Sequence, residues 1–121
     1  MAQEGGLLLS DDLLFASRIT ATARAKGLEV RIARSPDALV ALARERPPRC
    51  VLVDLQHPGL DLPALAARLA EACPAPPRLV GYGSHVEAAA LHAAREAGCD
   101  PAWPRSKFVE ELPHALPGWL S

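Results

Sequence analysis

The chain has 121 residues, of which 50% are hydrophobic and 22% charged, the balance of one globular domain with a single core. Its formal net charge of −1 gives no electrostatic reason to expect nucleic acid or a membrane surface as a partner. The three cysteines lack CxxC spacing, and the sequence has neither an apolar run long enough to cross a membrane nor a signal peptide. These features predict a reduced, cytoplasmic, soluble domain.

The first part of the chain predicts a flexible N-terminus and two strand–helix units. Gly27 follows a helical pattern as a C-terminal cap, and Leu28–Ala33 alternates apolar with charged residues, which is typical of a strand with one wetter face. Ser35 and Pro36 are the N-cap and first residue of the second helix. The predicted segments, in order, are residues 1–6, 7–9, 13–26, 28–33 and 35–46.

A third strand occupies the middle of the sequence and ends in a carboxylate. Cys50–Val53 is apolar without a break, and Asp54 follows it directly. Pro47-Pro48 precedes this run and Pro58-Gly59 follows it, so it predicts a short strand that is buried on both faces. Asp54 then lies at the carboxyl end of the strand, where open α/β sheets place their ligand crevices.

The second part of the chain continues the alternation. Ser84 and Glu87 form an S-x-x-E pattern, which predicts a capping box for an Ala-rich helix. Pro101 and Pro104 place the last strand at an edge of the sheet, because proline cannot donate to a central ladder. The predicted segments are a helix at 61–73, a strand at 78–82, a helix from 84 to 98, a strand at 101–104, a helix at 107–116 and a tail at 117–121.

Five strand–helix units with short connections predict a parallel sheet with helices on both faces, over residues 7–116. The first, third and fourth strands are continuously apolar and hence interior, whereas the second alternates and the fifth carries prolines. A doubly wound, flavodoxin-like sheet with the strand order 2-1-3-4-5 satisfies all five assignments.

Two acidic positions meet in this order, because the first and third strands are neighbours. Asp11 and Asp54 then approach each other at the carboxyl edge and repel unless a cation lies between them. Hard oxygen ligands suit Mg²⁺, so this pair is a candidate for a weak magnesium site. Asp12 is the alternative to Asp11 as the metal-side carboxylate, and either residue can instead cap the first helix.

The chain resembles the receiver domain of two-component response regulators, over almost its whole length. The likeness rests on Leu8-Leu9-Ser10-Asp11-Asp12 after the first strand, on the D-x-x-x-P from Asp54 to Pro58, and on Ala97-Gly98-Cys99 before the fifth strand. The resemblance implies that Asp54 accepts a phosphoryl group. It also implies that Mg²⁺ is held by Asp54 and an acidic pair, beside a Thr or Ser after the fourth strand and a Lys in the fifth.

Several positions depart from the receiver pattern. The first acid of the pair corresponds to Ser10 in this chain. The Thr/Ser position corresponds to Gly83, and the nearest serine, Ser84, follows it by one residue. The Lys position corresponds to Arg105. Ser84 is better explained by the capping box than as a phosphoryl ligand. A guanidinium at Arg105 has an obvious bidentate partner in the nearby carboxylates.

These departures favour an atypical or pseudo-receiver, a signalling domain that is not an enzyme and acts by protein–protein interaction, with phosphorylation at Asp54 weak or absent. The resemblance implies a sensor kinase or a downstream signalling protein as partner, and a homodimer is compatible with it. One alternative is a functional Mg-dependent aspartyl phosphoacceptor of a two-component phosphorelay. Another is a small phosphate- or nucleotide-binding module, because Gly81–Ser84 leads from a strand into a helix N-terminus, although it lacks the third glycine of a dinucleotide fingerprint.

The remaining polar and aromatic candidates receive structural interpretations. His57, His85 and His92 lack the spacing of a metal site, and we expect all three to be solvated. Trp103 and Trp119 are expected to be packing or contact residues.

Overall fold

A five-stranded parallel sheet with a helix after each strand makes up the computed structural model, which describes residues 3–121. The strands lie in the order β2-β1-β3-β4-β5, so the predicted flavodoxin-like topology is confirmed, as are the edge positions of the second and fifth strands. The strands are β1 (Gly6–Leu9), β2 (Val30–Ala33), β3 (Cys50–Asp54), β4 (Arg78–Gly83) and β5 (Cys99–Pro104). The helices are α1 (Leu13–Ala25), α2 (Pro36–Glu45), α3 (Leu62–Ala72), α4 (Ala88–Glu96) and α5 (Arg105–Leu120). No helix within residues 3–121 is both long and apolar enough to cross a membrane.

The alternation of side chains along the central strands divides the core into two layers. Leu8 and Leu52, paired in register, face α1 and α5, and Val80 joins them from β4. Their neighbours along the strands face the helices on the opposite side of the sheet. Asp54 lies two residues beyond Leu52, so its position falls on the α1/α5 side of the sheet. The site is therefore built between the end of β3 and the helices α1 and α5.

The bounds of the first strand and the last helix differ from the predicted ones. β1 begins at Gly6 instead of Leu7, and the Gln3 side chain donates to the Pro48 carbonyl at 2.7 Å. Residues 1 and 2 of the predicted flexible segment lie outside the described residues. At the other end, α5 continues to Leu120 instead of ending at Leu116, because both leucines are buried against the sheet.

The predicted capping box at Ser84 and Glu87 is wrong. The helix begins at Ala88, and the Glu87 amide donates to the Ser84 carbonyl at 3.2 Å in a turn that precedes the helix. The Ser84 hydroxyl accepts from the Val86 amide at 3.3 Å. Ser84 consequently belongs to the loop after β4, beside the carboxyl edge of the sheet.

His57 is buried, so the prediction that it is solvated is wrong for this residue. Its Nε2 lies 2.7 Å from the Arg34 carbonyl, and its Nδ1 accepts from the Gly59 amide at 3.0 Å. With Nδ1 accepting, Nε2 carries the proton and donates, which is the arrangement of a neutral ring. The imidazole thus ties the loop after β3 to the end of β2, whereas His85 and His92 are exposed as expected.

Candidate functional site

Asp54 ends β3 with its side chain only 6% exposed. Its Oδ1 accepts a hydrogen bond of 2.9 Å from the Gln56 amide. Its Oδ2 faces Arg105 Nη2 at 3.7 Å. Both oxygens of the buried carboxylate therefore have a partner within the chain, one a dipole and one a full positive charge.

Arg105 is the first residue of α5, and its guanidinium joins two carboxylates. Besides the contact with Asp54, its Nη1 lies 3.5 Å from Asp12 Oδ2. The same group lies over two rings, with its Cζ 4.4 Å from the Phe15 centroid and 5.5 Å from the Tyr82 centroid. The two ion pairs are longer than charge-assisted hydrogen bonds, so their attraction is mainly coulombic, and the ring faces add a cation–π contribution.

Asp12, and not Asp11, joins this network. Asp12 caps α1, with its Oδ1 accepting from the Phe15 amide at 3.1 Å, while its Oδ2 faces Arg105. Asp11 is exposed, and within residues 3–121 no cationic side chain lies within 4 Å of its carboxylate. Ser10 is fully buried, and its hydroxyl accepts from the Asp12 amide at 3.1 Å, which helps to fix the turn that orients Asp12.

The carboxylates at this edge already face a cation of the chain, Arg105. Residues 3–121 contain no cluster of three or more His, Cys, Asp or Glu side chains that could hold a metal ion. One oxygen of Asp12 caps a helix, and its other oxygen, like one from Asp54, faces Arg105. Arg105 supplies positive charge to Asp12 and Asp54, and Mg²⁺ at Asp11 and Asp54 stays a prediction.

Tyr82 belongs to the site, although it was not among the predicted residues. It pairs in register with Asp54 and is fully buried between Phe15 and Phe108, with ring centroids 5.0 and 4.6 Å away. Its hydroxyl makes no well-formed hydrogen bond among the described residues, although the nearby Ser10 side chain acts to lower its pKa. Burial raises the pKa of Tyr82 above its ordinary value, and the charge of Asp54 raises it further. Side chains alternate between the two faces of a strand, so Tyr82 lies on the same face as Val80, two residues before it, and on the same face as Asp54. This alternation in the sequence could have identified Tyr82.

An open cleft of about 770 Å³ adjoins Arg105 and contains the predicted residue Ser84. The cleft lies between α1, the loops after β3 and β4, and the start of α5. Ser84 is thus placed beside Arg105, although its role as a phosphoryl contact stays a prediction. The lining residues are Phe15, Arg18, Gln56, Gly83, Ser84, His85, Arg105, Ser106 and Val109.

Solved receiver domains of response regulators share this fold. The receiver domain of NtrX from Brucella abortus matches with a TM-score of 0.80 and 21% identity, over 95% of this chain and 97% of that one. A longer NtrX structure matches with a TM-score of 0.81 and 21% identity, over 98% of this chain but only 27% of NtrX. A response regulator from Burkholderia pseudomallei, solved with a phosphorylated aspartic acid, calcium ion and citrate, matches with a TM-score of 0.76 and 22% identity, over 98% of this chain and 67% of that one.

Sequence comparison alone gives no such relationship. No protein-family model matches the chain, and no curated protein matches it either. The three structural matches described above, at 21–22% identity, confirm the predicted receiver fold with its strand order 2-1-3-4-5.

Proposed function

We propose that this chain is a receiver-like signalling domain in which Arg105 supplies the positive charge beside Asp54, and which acts by binding a protein partner without phosphorylation of Asp54. The observation that carries the proposal is the position of the Arg105 guanidinium, 3.5 Å from Asp12 and 3.7 Å from Asp54. The receiver fold and the D-x-x-x-P after β3 support a signalling role.

Electrostatics explains why a cation is needed at this edge. Two carboxylates held close together repel, and a buried one is also penalised by the loss of its hydration. A guanidinium remains charged throughout the physiological range and can contact both acids through its planar fork. Arg105 consequently neutralises the pair from within the chain.

The same contact hinders phosphoryl transfer to Asp54. Attack on a phosphoryl donor needs a free carboxylate oxygen and a compact cation that accommodates the charge on the incoming group. In this chain one oxygen of Asp54 accepts from the Gln56 amide, and the other faces Arg105. A phosphoryl group would have to enter the space that the guanidinium fills.

A signalling domain that is not phosphorylated transmits its signal by contact between its surface and another protein. The partner we propose is a protein of a two-component pathway, either a sensor kinase or a downstream signalling protein, in the cytoplasm. The proposal assigns no catalytic role to Asp54, whose Oδ2 lies 3.7 Å from Arg105 Nη2.

The test is a titration of the ¹⁵N-labelled chain with beryllofluoride and Mg²⁺, monitored by amide resonances. We expect the amides of Asp54, Gln56 and Tyr82 to be unperturbed in the natural chain. An Asp54→Asn variant provides the blank, because it cannot coordinate beryllium. Saturable shifts in the natural chain that are absent in this variant would contradict the proposal and favour the phosphoacceptor.

A further inference from the structure

Two long ion pairs leave the orientation of the Arg105 guanidinium weakly specified. Its nitrogens lie 3.5 Å from Asp12 and 3.7 Å from Asp54, beyond the length of a charge-assisted hydrogen bond. Arg105 is also the first residue of α5, where the aligned peptide dipoles of the helix repel a cation. The first turn of α5, residues 105–108, carries no acid that would offset this repulsion. A further contact is therefore needed to hold the fork against Asp54.

The ring of Phe15 supplies this contact. The Arg105 Cζ lies 4.4 Å from the centroid of Phe15 and 5.5 Å from that of Tyr82, so Phe15 is the nearer of the two ring faces. A ring face at this distance attracts a guanidinium through its quadrupole and through planar stacking. The ring consequently covers one face of the guanidinium and limits its rotation away from the two carboxylates.

Phe15 is itself held firmly in the structure. Its side chain is buried, and its ring centroid lies 5.0 Å from that of Tyr82. Its backbone amide donates to Asp12 Oδ1 at 3.1 Å. The amide of this one residue thus orients an acid of the site, while its ring orients the cation between the acids.

The guanidinium has a second place to go if this ring is removed. The Arg105 side chain is 36% exposed and lines the open cleft of about 770 Å³. Rotamers that point into the cleft regain hydration and side-chain entropy. A partly exposed ion pair contributes little free energy, so the balance between the two orientations is fine. One added ring contact is enough to decide it.

We propose that Phe15 is the positioning residue that keeps the Arg105 guanidinium over Asp54, and that the aromatic face of its side chain is what the site requires. The inference rests on the proposed function, in which Arg105 supplies the charge beside Asp54. Phe15 acts on Asp54 through Arg105. With an aliphatic side chain at position 15, the guanidinium turns toward the cleft and Asp54 Oδ2 becomes accessible.

The experiment follows the side-chain ¹⁵Nε–¹Hε resonance of Arg105 in the full ¹⁵N-labelled chain, assigned by its loss in Arg105→Lys. Ring currents shift a proton that lies over a ring face upfield. We expect an upfield, ordered Arg105 resonance in the natural chain. In Phe15→Leu it should move to the position of a solvated arginine, and its order parameter should fall to about 0.6 or lower.

Two further variants distinguish the ring face from core packing. Phe108→Leu removes a ring of the same cluster, 4.6 Å from Tyr82, and it should leave the Arg105 order parameter unchanged. A ring-fluorinated phenylalanine at position 15 keeps the shape of the side chain but weakens the quadrupole of its ring. This replacement should lower the Arg105 order parameter further with each added fluorine, and it keeps the test decisive if Phe15→Leu does not fold.

Access to Asp54 is measured with beryllofluoride and Mg²⁺ in the Ser10→Asp background, which restores a carboxylate to the site. We expect Phe15→Leu to raise the affinity about tenfold over that background, because the guanidinium no longer fills the space beside Asp54. Phe108→Leu should leave the affinity of the same background unchanged.

Three outcomes would overturn the inference. The first is an equal Arg105 order parameter in the natural chain and in folded Phe15→Leu or its fluorinated counterpart. The second is equal loosening of Arg105 in Phe15→Leu and Phe108→Leu, which would assign Phe15 to core packing alone. The third is an unchanged beryllofluoride affinity in the Ser10→Asp background. Saturable beryllofluoride binding by the natural chain would instead refute the proposed function, so the two failures are distinguishable.

Discussion

Arg105 Nη2 lies 3.7 Å from Asp54 Oδ2 at the carboxyl edge of the sheet, where Asp54 is buried and Arg105 is partly exposed. β5 brings the chain to the start of α5 beside β4, and Phe15 provides the ring face on which the guanidinium rests. The arrangement places a permanent cation next to a carboxylate that would otherwise be buried with one hydrogen bond. This pair is therefore the feature on which the proposed function rests.

Removing the Arg105 charge should destabilise the fold. We expect Arg105→Gln to lower the free energy of unfolding by about 1–2 kcal/mol, because Asp54 loses its cationic partner. The partial exposure of Arg105 keeps this decrease in stability small. Urea denaturation at neutral pH measures the change. Arg44→Gln, at an exposed position on α2, is the control and should change stability by no more than about 0.5 kcal/mol. Equal stability of the two variants would mean that the guanidinium does not stabilise Asp54.

The Tyr82 hydroxyl should be dispensable for stability. It is buried without a well-formed hydrogen bond among the described residues, so Tyr82→Phe removes an unsatisfied polar atom and keeps the ring contacts with Phe15 and Phe108. We expect this variant to be as stable as the natural chain or more stable by up to about 1 kcal/mol. Thermal denaturation followed by circular dichroism measures this. A clear loss of stability would show that the hydroxyl has a partner in solution.

Alkaline pH should destabilise the domain through its buried thiols and Tyr82. Burial raises the pKa of Cys99 to about 11 and that of Cys50 to about 12, from an ordinary 9.0, and it raises the pKa of Tyr82 as well. A raised folded-state pKa gives stability that is complete below the unfolded-state pKa and lost as the pH rises toward the folded-state value. Stability should thus decline from about pH 9 upward.

Tyr82 is the only tyrosine in the sequence, so tyrosinate absorbance reports on this residue alone. We expect the absorbance to appear together with loss of the far-ultraviolet circular dichroism signal, since the folded state disfavours the phenolate. Tyrosinate formation near the ordinary pKa of about 10 with the fold intact would contradict the burial of this side chain.

His57 should contribute to stability as a link between loops. Its ring contacts the Arg34 carbonyl and the Gly59 amide, so His57→Phe leaves a buried acceptor and a donor without partners. We expect the free energy of unfolding to fall by about 1–3 kcal/mol. The control is His92→Gln on α4, where the side chain is 72% exposed, and it should leave stability nearly unchanged. Similar urea midpoints for the two variants would contradict the role of His57.

The topology could be predicted from the sequence because burial on one or both faces of a strand leaves a direct pattern. The unbroken apolar run of Cys50–Val53 and the alternation of Leu28–Ala33 distinguished an interior strand from an edge strand. The end of α5 was missed, because Pro117 favours the end of a helix before it. Burial of Leu116 and Leu120 outweighs that local preference.

The site was harder to predict, since its geometry depends on turns. Adjacent acids such as Asp11 and Asp12 cannot be distinguished by pattern, and the α1 cap decides which one turns toward Arg105. The burial of His57 depends on a long-range contact with the Arg34 carbonyl, which no local signal reveals. The fork of Arg105 was expected to hold one carboxylate through two donors, whereas it makes one long contact to each of Asp12 and Asp54.

The most direct test of the central claim is incubation of the chain with acetyl phosphate and Mg²⁺, followed by intact-mass spectrometry. We expect no phosphoryl addition at Asp54 in the natural chain. The double variant Ser10→Asp with Arg105→Lys should gain both Mg²⁺ binding and labelling, because it restores a carboxylate and replaces the planar fork by a compact ammonium. Asp54→Asn in that background supplies the blank. Stoichiometric, Mg²⁺-dependent labelling of Asp54 in the natural chain would contradict the account and identify the domain as a phosphoacceptor.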